Sequence, residues 1–402
     1  TEAIRSLVGD PAMKADAYIA ALPADVATAR WITLPFADTK RVDQIIEGEM
    51  ADLIPFPIED AVFDHVLAKR EDNSSLSIGV AASRHRVASR LELLTDATVD
   101  PRFLPLDAMQ LSSLYDALMV DDNAPAAEPS APDGEALTFV QESPEAPPGA
   151  RLLIDIGHER TVVCAVNADG VHHTRVLRTG GKDVTEAIAK AYGLEWEDAE
   201  RGKHEEAFVA SPRHPAPDDD AQKISDAVSE GLGGLLREVR RTLQAIRKER
   251  RVRVERVDLM GGGASIRNLA NYLAEQLNVP VGDGRVVAQE VERSTDPVRA
   301  RAYCLALALA LRGTSGQGAP RLDFRKEEFA FAGSLEHFRA RVPFMAAAAG
   351  VLMFLLLVSV AVKYRELESG EEHEVKLLGP WDDGEGVISY RAPVAAGLLG
   401  LE

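Results

Sequence analysis

The stretch Arg151–Arg178, RLLIDIGHERTVVCAVNADGVHHTRVLR, decides the architecture. Aliphatic runs broken at Gly157 and at Asp169-Gly170 read as strand, tight turn, strand, turn, strand, because β-branched residues suit a pleated surface and Gly and Asp suit turns. Downstream the apolar period changes. Ile224, Val228, Leu232, Leu235, Leu236, Val239, Leu243 and Ile246 recur at three and four, which predicts a long helix over 221–249 with one buried stripe. Shorter helices are expected at Val184–Tyr192 and Asp198–Lys203. RVDLMGGGAS (256–265) reads as a buried strand entering a glycine turn, and IRNLANYLAEQLN (266–278) as the helix that it feeds.

Upstream, AYIAALP (17–23), ARWITLPF (29–36), VFDHVLAKR (62–70) and LSIGVAAS (76–83) read as strands. A helix from Thr39 to Leu53 is expected to stop at Ile54-Pro55-Phe56-Pro57, since proline cannot continue it. HRVASRLELLTDA (85–97) is an amphipathic helix. This alternation predicts an α/β architecture. Between the two halves, Asp121–Pro148 holds six prolines, seven acidic residues and no Lys or Arg. Such a composition buries too little surface to offset its ordering entropy, so residues 121–149 are expected to be a disordered insertion.

Composition narrows the function classes. The formal charge is −19, which disfavours a general nucleic-acid binder. Arg237–Arg256 carries nine basic and three acidic residues, read as the solvated end of the long helix or as a surface for anionic lipid. Two cysteines cannot form a disulfide framework or a four-ligand zinc site, and Cys164 reads as core. His172 and His173, adjacent on a strand, point to opposite faces and are not expected to share a metal. Val342–Val362 is 21 residues without a charge, about 30 Å as a helix, and is expected to span a bilayer. Arg321, Arg325, Lys326, Arg339 and Arg341 before it place the preceding 340 residues in the cytoplasm. The tail 363–402 carries too little apolar sequence to fold alone.

Three groups could carry chemistry. Asp155 and Gly157, at the mouth of a hairpin with Thr161 behind them, could approach a phosphate and hold a hydrated magnesium ion. Gly261, Gly262, Gly263 and Ala264, before Ser265, either pack strand tightly on helix or let a nucleotide approach the backbone. Glu200 and Lys203, three apart on one helix face, form either a surface ion pair or part of the same site.

In order and spacing these groups resemble the second half of the actin-like, ribonuclease H-like fold shared by actin, heat-shock chaperones, sugar kinases and FtsA. There the DxG…T hairpin contacts phosphate, ExxK the ribose, and GGG followed by Ala or Ser the adenosine. The sequence is similar to PilM of type IV pili at GGKDVTEAIAKAYGLEWEDAERGK (180–203), VDLMGGGASIRNLANYLAEQLNVPV (257–281) and ARWITLPFADTKRVDQIIEGEMADLIPFPIED (29–60). With RLDFRKEEFA (321–330) leading toward the apolar run, the whole resembles GspL of type II secretion or, alternatively, a PilM–PilN fusion.

The resemblance implies a two-lobed module. Its expected parts are a first lobe at 1–120, the acidic insertion, a second lobe at 150–315, a connector at 316–341, a membrane helix at 342–362 and a short periplasmic tail. It implies an inner-membrane platform that is not an enzyme. A GspE-like secretion ATPase would bind the cytoplasmic module, a GspM-like protein the membrane part, and membrane lipid the span; a homodimer is also open, and nucleic acid is not expected. No DIG-type hairpin is read before Ala17, so either the sequence is an N-terminal fragment or the module has lost half of the fold's phosphate clamp and with it nucleotide binding. A scaffold requires no cofactor; ATP with magnesium is what the resemblance would place at Asp155, Gly157, Thr161, Glu200, Lys203 and Gly261–Ala264.

Overall fold

A computed structural model of the chain describes residues 1–13, 15–36, 39–70, 74–115, 149–283, 301–313 and 321–331, and the backbone of three strands between 360 and 389. They belong to two units, Thr1–Phe331 and Ala332–Glu402. The acidic insertion, apart from its last residue, and the apolar run up to residue 359 lie outside the described residues.

After helix α1 (Glu2–Gly9), strand β1 (Tyr18–Ile19) pairs in parallel with a short strand, β5 (Pro101–Phe103). Between them lie β2 (Ala27–Leu34), α2 (Thr39–Ala51), β3 (Ala61–Arg70), β4 (Ser75–Ser83) and α3 (Arg84–Asp96). The three strands form an antiparallel sheet in the order β2-β4-β3. Alternating side chains serve its two faces. Ile32, Phe63 and Ala81 meet Val42, Ile46 and Met50 of α2 on one, while Val62, Ile78, Val80 and Ala82 enter a larger core on the other. Ser83 caps α3 by accepting from Arg86 N.

The second half contains α4 (Asp107–Gln110), β6 (Gly149–Ile156), β7 (Thr161–Asn167), β8 (Gly170–Leu177), α5 (Gly181–Tyr192), α6 (Trp196–Glu206), α7 (Asp219–Ala245), β9 (Arg253–Met260), α8 (Leu269–Leu277), β10 (Val281–Asp283) and α9 (Cys304–Gly313). The sheet runs β10-β9-β6-β7-β8, with β10, β9 and β6 parallel and β6, β7 and β8 antiparallel. The expected hairpins are both present; at the second, Asn167 Oδ1 accepts from Asp169 N. All seven residues of β7 are buried, because both faces of the sheet are covered. Leu152, Ile154 and Ile156 face α5, α7 and α8, whose Val184, Ile188, Val228, Leu232 and Leu273 fill one core. Leu153, Val162, Cys164 and Val166 face the other core, shared with the first sheet, residues 104–114 and Cys304 and Ala308 of α9.

Local chemistry moves some of the expected ends. The helix expected from Ile266 begins at Leu269, because Asn268 takes φ +64 and donates from Nδ2 to Val209 O at 2.7 Å. The long helix starts at Asp219, capped by Asp218, and after Ala245 widens into a π turn, Ile246–Arg250, that Arg251 ends at φ +53. This turn brings the Arg250 guanidinium 4.1 Å from the Trp31 ring centroid.

Residues 321–331, read as part of a connector, pack into the first unit. Leu322 and Phe324 are wholly buried in the shared core. Phe324 N donates to Leu104 O (3.1 Å), Leu104 N to Asp323 Oδ1 (2.8 Å) and Asp323 N to Asp64 Oδ2 (2.6 Å). Lys326 bonds Asp64, Arg325 bonds Asp100, and Arg84 pairs with Glu327 and Glu328.

Three strands are described in the second unit. Strand β11 (Val360–Arg365) pairs antiparallel with β12 (Glu372–Leu378), which pairs in parallel with β13 (Val387–Ser389). The alternating Val360, Val362 and Tyr364 suit a strand, so the last three residues of the expected membrane helix are extended. Among the described residues no helix is long and apolar enough to cross a membrane.

Candidate nucleotide-type site

The site forms where β6 ends. Gly157 N donates to Arg160 O at 3.0 Å and closes the hairpin. The N-terminus of α5 rests on that turn: Gly181 N donates to Gly157 O (2.9 Å), Lys182 N to His158 O (2.8 Å) and Gly180 N to Asp183 Oδ2 (2.7 Å). A Cβ on Gly180 would fall 2.5 Å from His158 O, so only glycine fits there. The helix end thereby spends its first free N–H groups on the hairpin, the groups that would otherwise receive an anion.

The three glycines after β9 differ in their work. Gly261 has φ +84 and ψ 170, and a Cβ there would lie 2.2 Å from Asp155 Oδ1 and 2.6 Å from Ile156 O. A Cβ on Gly263 would lie 2.3 Å from Ile156 Cγ2, whereas Gly262 has nothing within 4 Å. Gly261 and Gly263 therefore serve close packing on β6, whereas Gly262 has room for a side chain.

That cavity, about 230 Å³, is lined by Gly157, Glu200, Lys203, Gly262 and Gly263 together with His158, Gly181, His204, Ser265 and Ile266. The Lys203 ammonium is 8% exposed and donates to Glu200 Oε2 (2.8 Å), Glu200 Oε1 (2.9 Å), Thr185 Oγ1 (2.9 Å) and Gly181 O (3.2 Å). The Thr185 hydroxyl reaches both Glu200 and Gly181 O with its one proton. Desolvation pushes the Glu200 carboxyl up, but the hydrogen bonds from Lys203 and Thr185 and the ammonium charge outweigh it and hold it at about 2. The pair is thus a built wall. His158 stands edge-on to Trp196, centroids 6.0 Å apart, at the start of the same helix.

The other expected residues lie elsewhere. Thr161 is wholly buried and donates to Thr179 O (2.8 Å), tying β7 to the turn before α5. Ala264 is buried in the core, and Gly261 packs on Asp155. Asp155 lines a second, open cavity of about 540 Å³ with Asp25, Gly157, His158, Glu159 and Arg160. Burial, then the charge of Asp107, raises its carboxyl to about 6 against the pull of Arg160. Arg160 bridges Asp25 (2.9 Å) and the buried Asp107 (3.1 Å).

This geometry fits a nucleoside better than a phosphate chain. Glu200, Lys203 and Gly262 offer polar groups and open backbone. On the phosphate side, Asp25, Asp155 and Glu159 line the second cavity with Arg160, which is already paired with Asp25 and with the buried Asp107. A bare triphosphate would meet like charge there, whereas a magnesium ion would meet the carboxylates that bind it. Sequence reasoning missed Thr185, Arg160 and Asp107. GGKD at 180–183 was a readable sign of the first, since its glycines and capping Asp fix the start of α5; Arg160 and Asp107 had none.

Residues 144–314 match the family model of the type IV pilus assembly protein PilM. Among solved structures, the PilM–PilN type IV pilus biogenesis complex is 26% identical, with a TM-score of 0.59 over 78% of this chain and 84% of that one. The ethanolamine utilization protein EutJ of Carboxydothermus hydrogenoformans is 14% identical over 55% of this chain and 59% of that chain, TM-score 0.34. The cytoplasmic domain of EpsL, an inner-membrane component of the Vibrio cholerae type II secretion system, is 10% identical over 58% and 80%, TM-score 0.28. No curated protein matches the sequence significantly. The chain therefore carries an α/β module similar to PilM.

Proposed function

We propose that this chain is an assembly-platform subunit of a type IV pilus or type II secretion machine, a scaffold and not an enzyme. In this reading the module holds a cytoplasmic assembly ATPase at the inner membrane, the apolar run 342–359 crosses the bilayer, and the parts beyond it meet a second membrane component. The observation that carries the reading is the likeness to the PilM–PilN complex over most of both chains.

Each machine has an observation in its favour. The match to PilM over residues 144–314 favours the pilus. The apolar run on the same chain as the module favours a GspL-like secretion subunit, with GspE-like and GspM-like partners. Co-purification of the full chain in detergent with the N-terminal domain of each ATPase from the same organism separates them. A stoichiometric complex with one ATPase assigns the machine, and binding to neither sinks the platform reading. A fluorescent ATP analogue is expected to show no saturable binding at millimolar concentration.

A further inference from the structure

One stripe of helix α5 serves two cavities: Gly181 and Thr185 stand at the site described above, and Ile188 and Tyr192 follow them at helical spacing along the same stripe. With Gly202 and Glu206 of α6 they line a separate open groove of about 520 Å³. Phe208, Asp220 and Ile224 close its far side.

The groove floor is apolar and partly uncovered. Tyr192 is 44% and Leu194 41% exposed. They flank Gly193, whose φ of +64 ends α5, and Leu194 N donates to Ala189 O at 3.0 Å. At such a helix end the apolar residue after the glycine commonly closes over the last turn. Here Leu194 lines the groove and stays 41% exposed.

The rim is acidic. Glu206 and Asp220 stand in the wall, and Glu195, Asp218 and Asp219 are exposed beside it in the chain. Among the described residues one cation, Arg267, lines the groove, and it donates to Glu206 O at 2.6 Å; Lys223, outside the lining, sits 3.3 Å from Asp220. An uncovered apolar floor framed by carboxylates is complementary to apolar side chains framed by ammonium or guanidinium groups.

We infer that this groove docks a basic amphipathic segment of a protein partner, its apolar residues on Tyr192 and Leu194 and its cations against Glu206 and Asp219. The inference deepens the platform reading by naming the face that a partner grips. Because α5 and α6 wall both the groove and the Glu200–Lys203 site, an occupant of one bears on the other.

The test uses the full chain and a fluorescein-labelled amphipathic helical peptide of Leu and Lys, followed by anisotropy. Saturable binding is expected, weakened about tenfold or more by Leu194→Asp, as for loss of a central apolar anchor. Leu93→Asp, at a similarly exposed apolar position on α3, is expected to leave binding unchanged, and the peptide with Glu in place of Lys is expected not to bind. No saturable binding at millimolar peptide, or equal loss in both variants, overturns the inference. Groove binding without any ATPase complex would sink the platform reading alone.

Discussion

Gly261→Ala tests whether the glycine turn serves packing or ligand contact. The backbone there lies at φ +84 and ψ 170, a region essentially closed to residues with a Cβ, at a cost of about 1–3 kcal/mol. The new methyl would also fall 2.2 Å from Asp155 Oδ1 and 2.6 Å from the Ile156 carbonyl, and overpacking of that kind costs about 1–3 kcal/mol. The stiffer unfolded chain returns about 0.4–1 kcal/mol. The net expectation is a loss of about 1–6 kcal/mol, which at an m-value of about 2 kcal/mol/M lowers the urea midpoint by roughly 0.5–3 M. Gly262→Ala, with nothing within 4 Å of the added carbon, is expected to stay within about 0.5 kcal/mol of the parent. Urea unfolding of residues 1–331 followed by circular dichroism reads both. Equal stability of Gly261→Ala and the parent, or equal damage from the two variants, would refute the assignment of one glycine to strain and the other to open backbone.

Further outcomes follow from buried groups. Phe324→Ala removes a wholly buried ring from the shared core and is expected to cost about 3–5 kcal/mol in the same urea assay, which a loose connector would not show. Asp155 is raised to about 6 in the fold, so the folded state holds its proton more tightly than the unfolded chain does. Its contribution is therefore neutral below pH about 4 and turns destabilising as pH rises through about 6, by about 2–3 kcal/mol at pH 8. Asp155→Asn is expected to stabilise the protein at pH 8 and do little at pH 4; urea midpoints at the two values check this. Lys203→Met leaves Glu200 without its main partner, and a carbon-detected NMR titration is expected to move that carboxyl up from about 2 toward the ordinary range.

The sequence carried the second sheet because its signals are local. The alternation in β6–β8, the turn at Asp169-Gly170 and the three-four stripe of α7 each lie within one element, where a period can be counted. In the first half the same signals placed the strands but not their pairing. An antiparallel sheet was found where simple alternation suggested βα units, since neighbouring strands are chosen by burial, not by order. The Glu200–Lys203 pair was visible as a spacing of three. Its third member, Thr185, was not, because that contact crosses between helices. Arg160 is 135 residues from Asp25 and 53 from Asp107, and no local pattern records such a bridge. The docking of residues 321–331 escaped for the same reason, its anchors at Asp64, Asp100 and Leu104 lying more than two hundred positions away.

The core shared by the two sheets has a consequence for how this chain can be cut. Residues up to Leu114 contribute Leu22, Val80, Leu106, Met109 and Leu111, and residues after 149 contribute Leu153, Val162, Cys164, Leu322 and Phe324 to the same cluster. A nick between 115 and 149 breaks no strand of either sheet, yet each piece alone would present half of a greasy interior to water. The two pieces should behave as complementing fragments, insoluble apart and reassembling when made together. For the same reason neither half can be moved between proteins as an independent cassette, and inheritance would have to keep them as a pair.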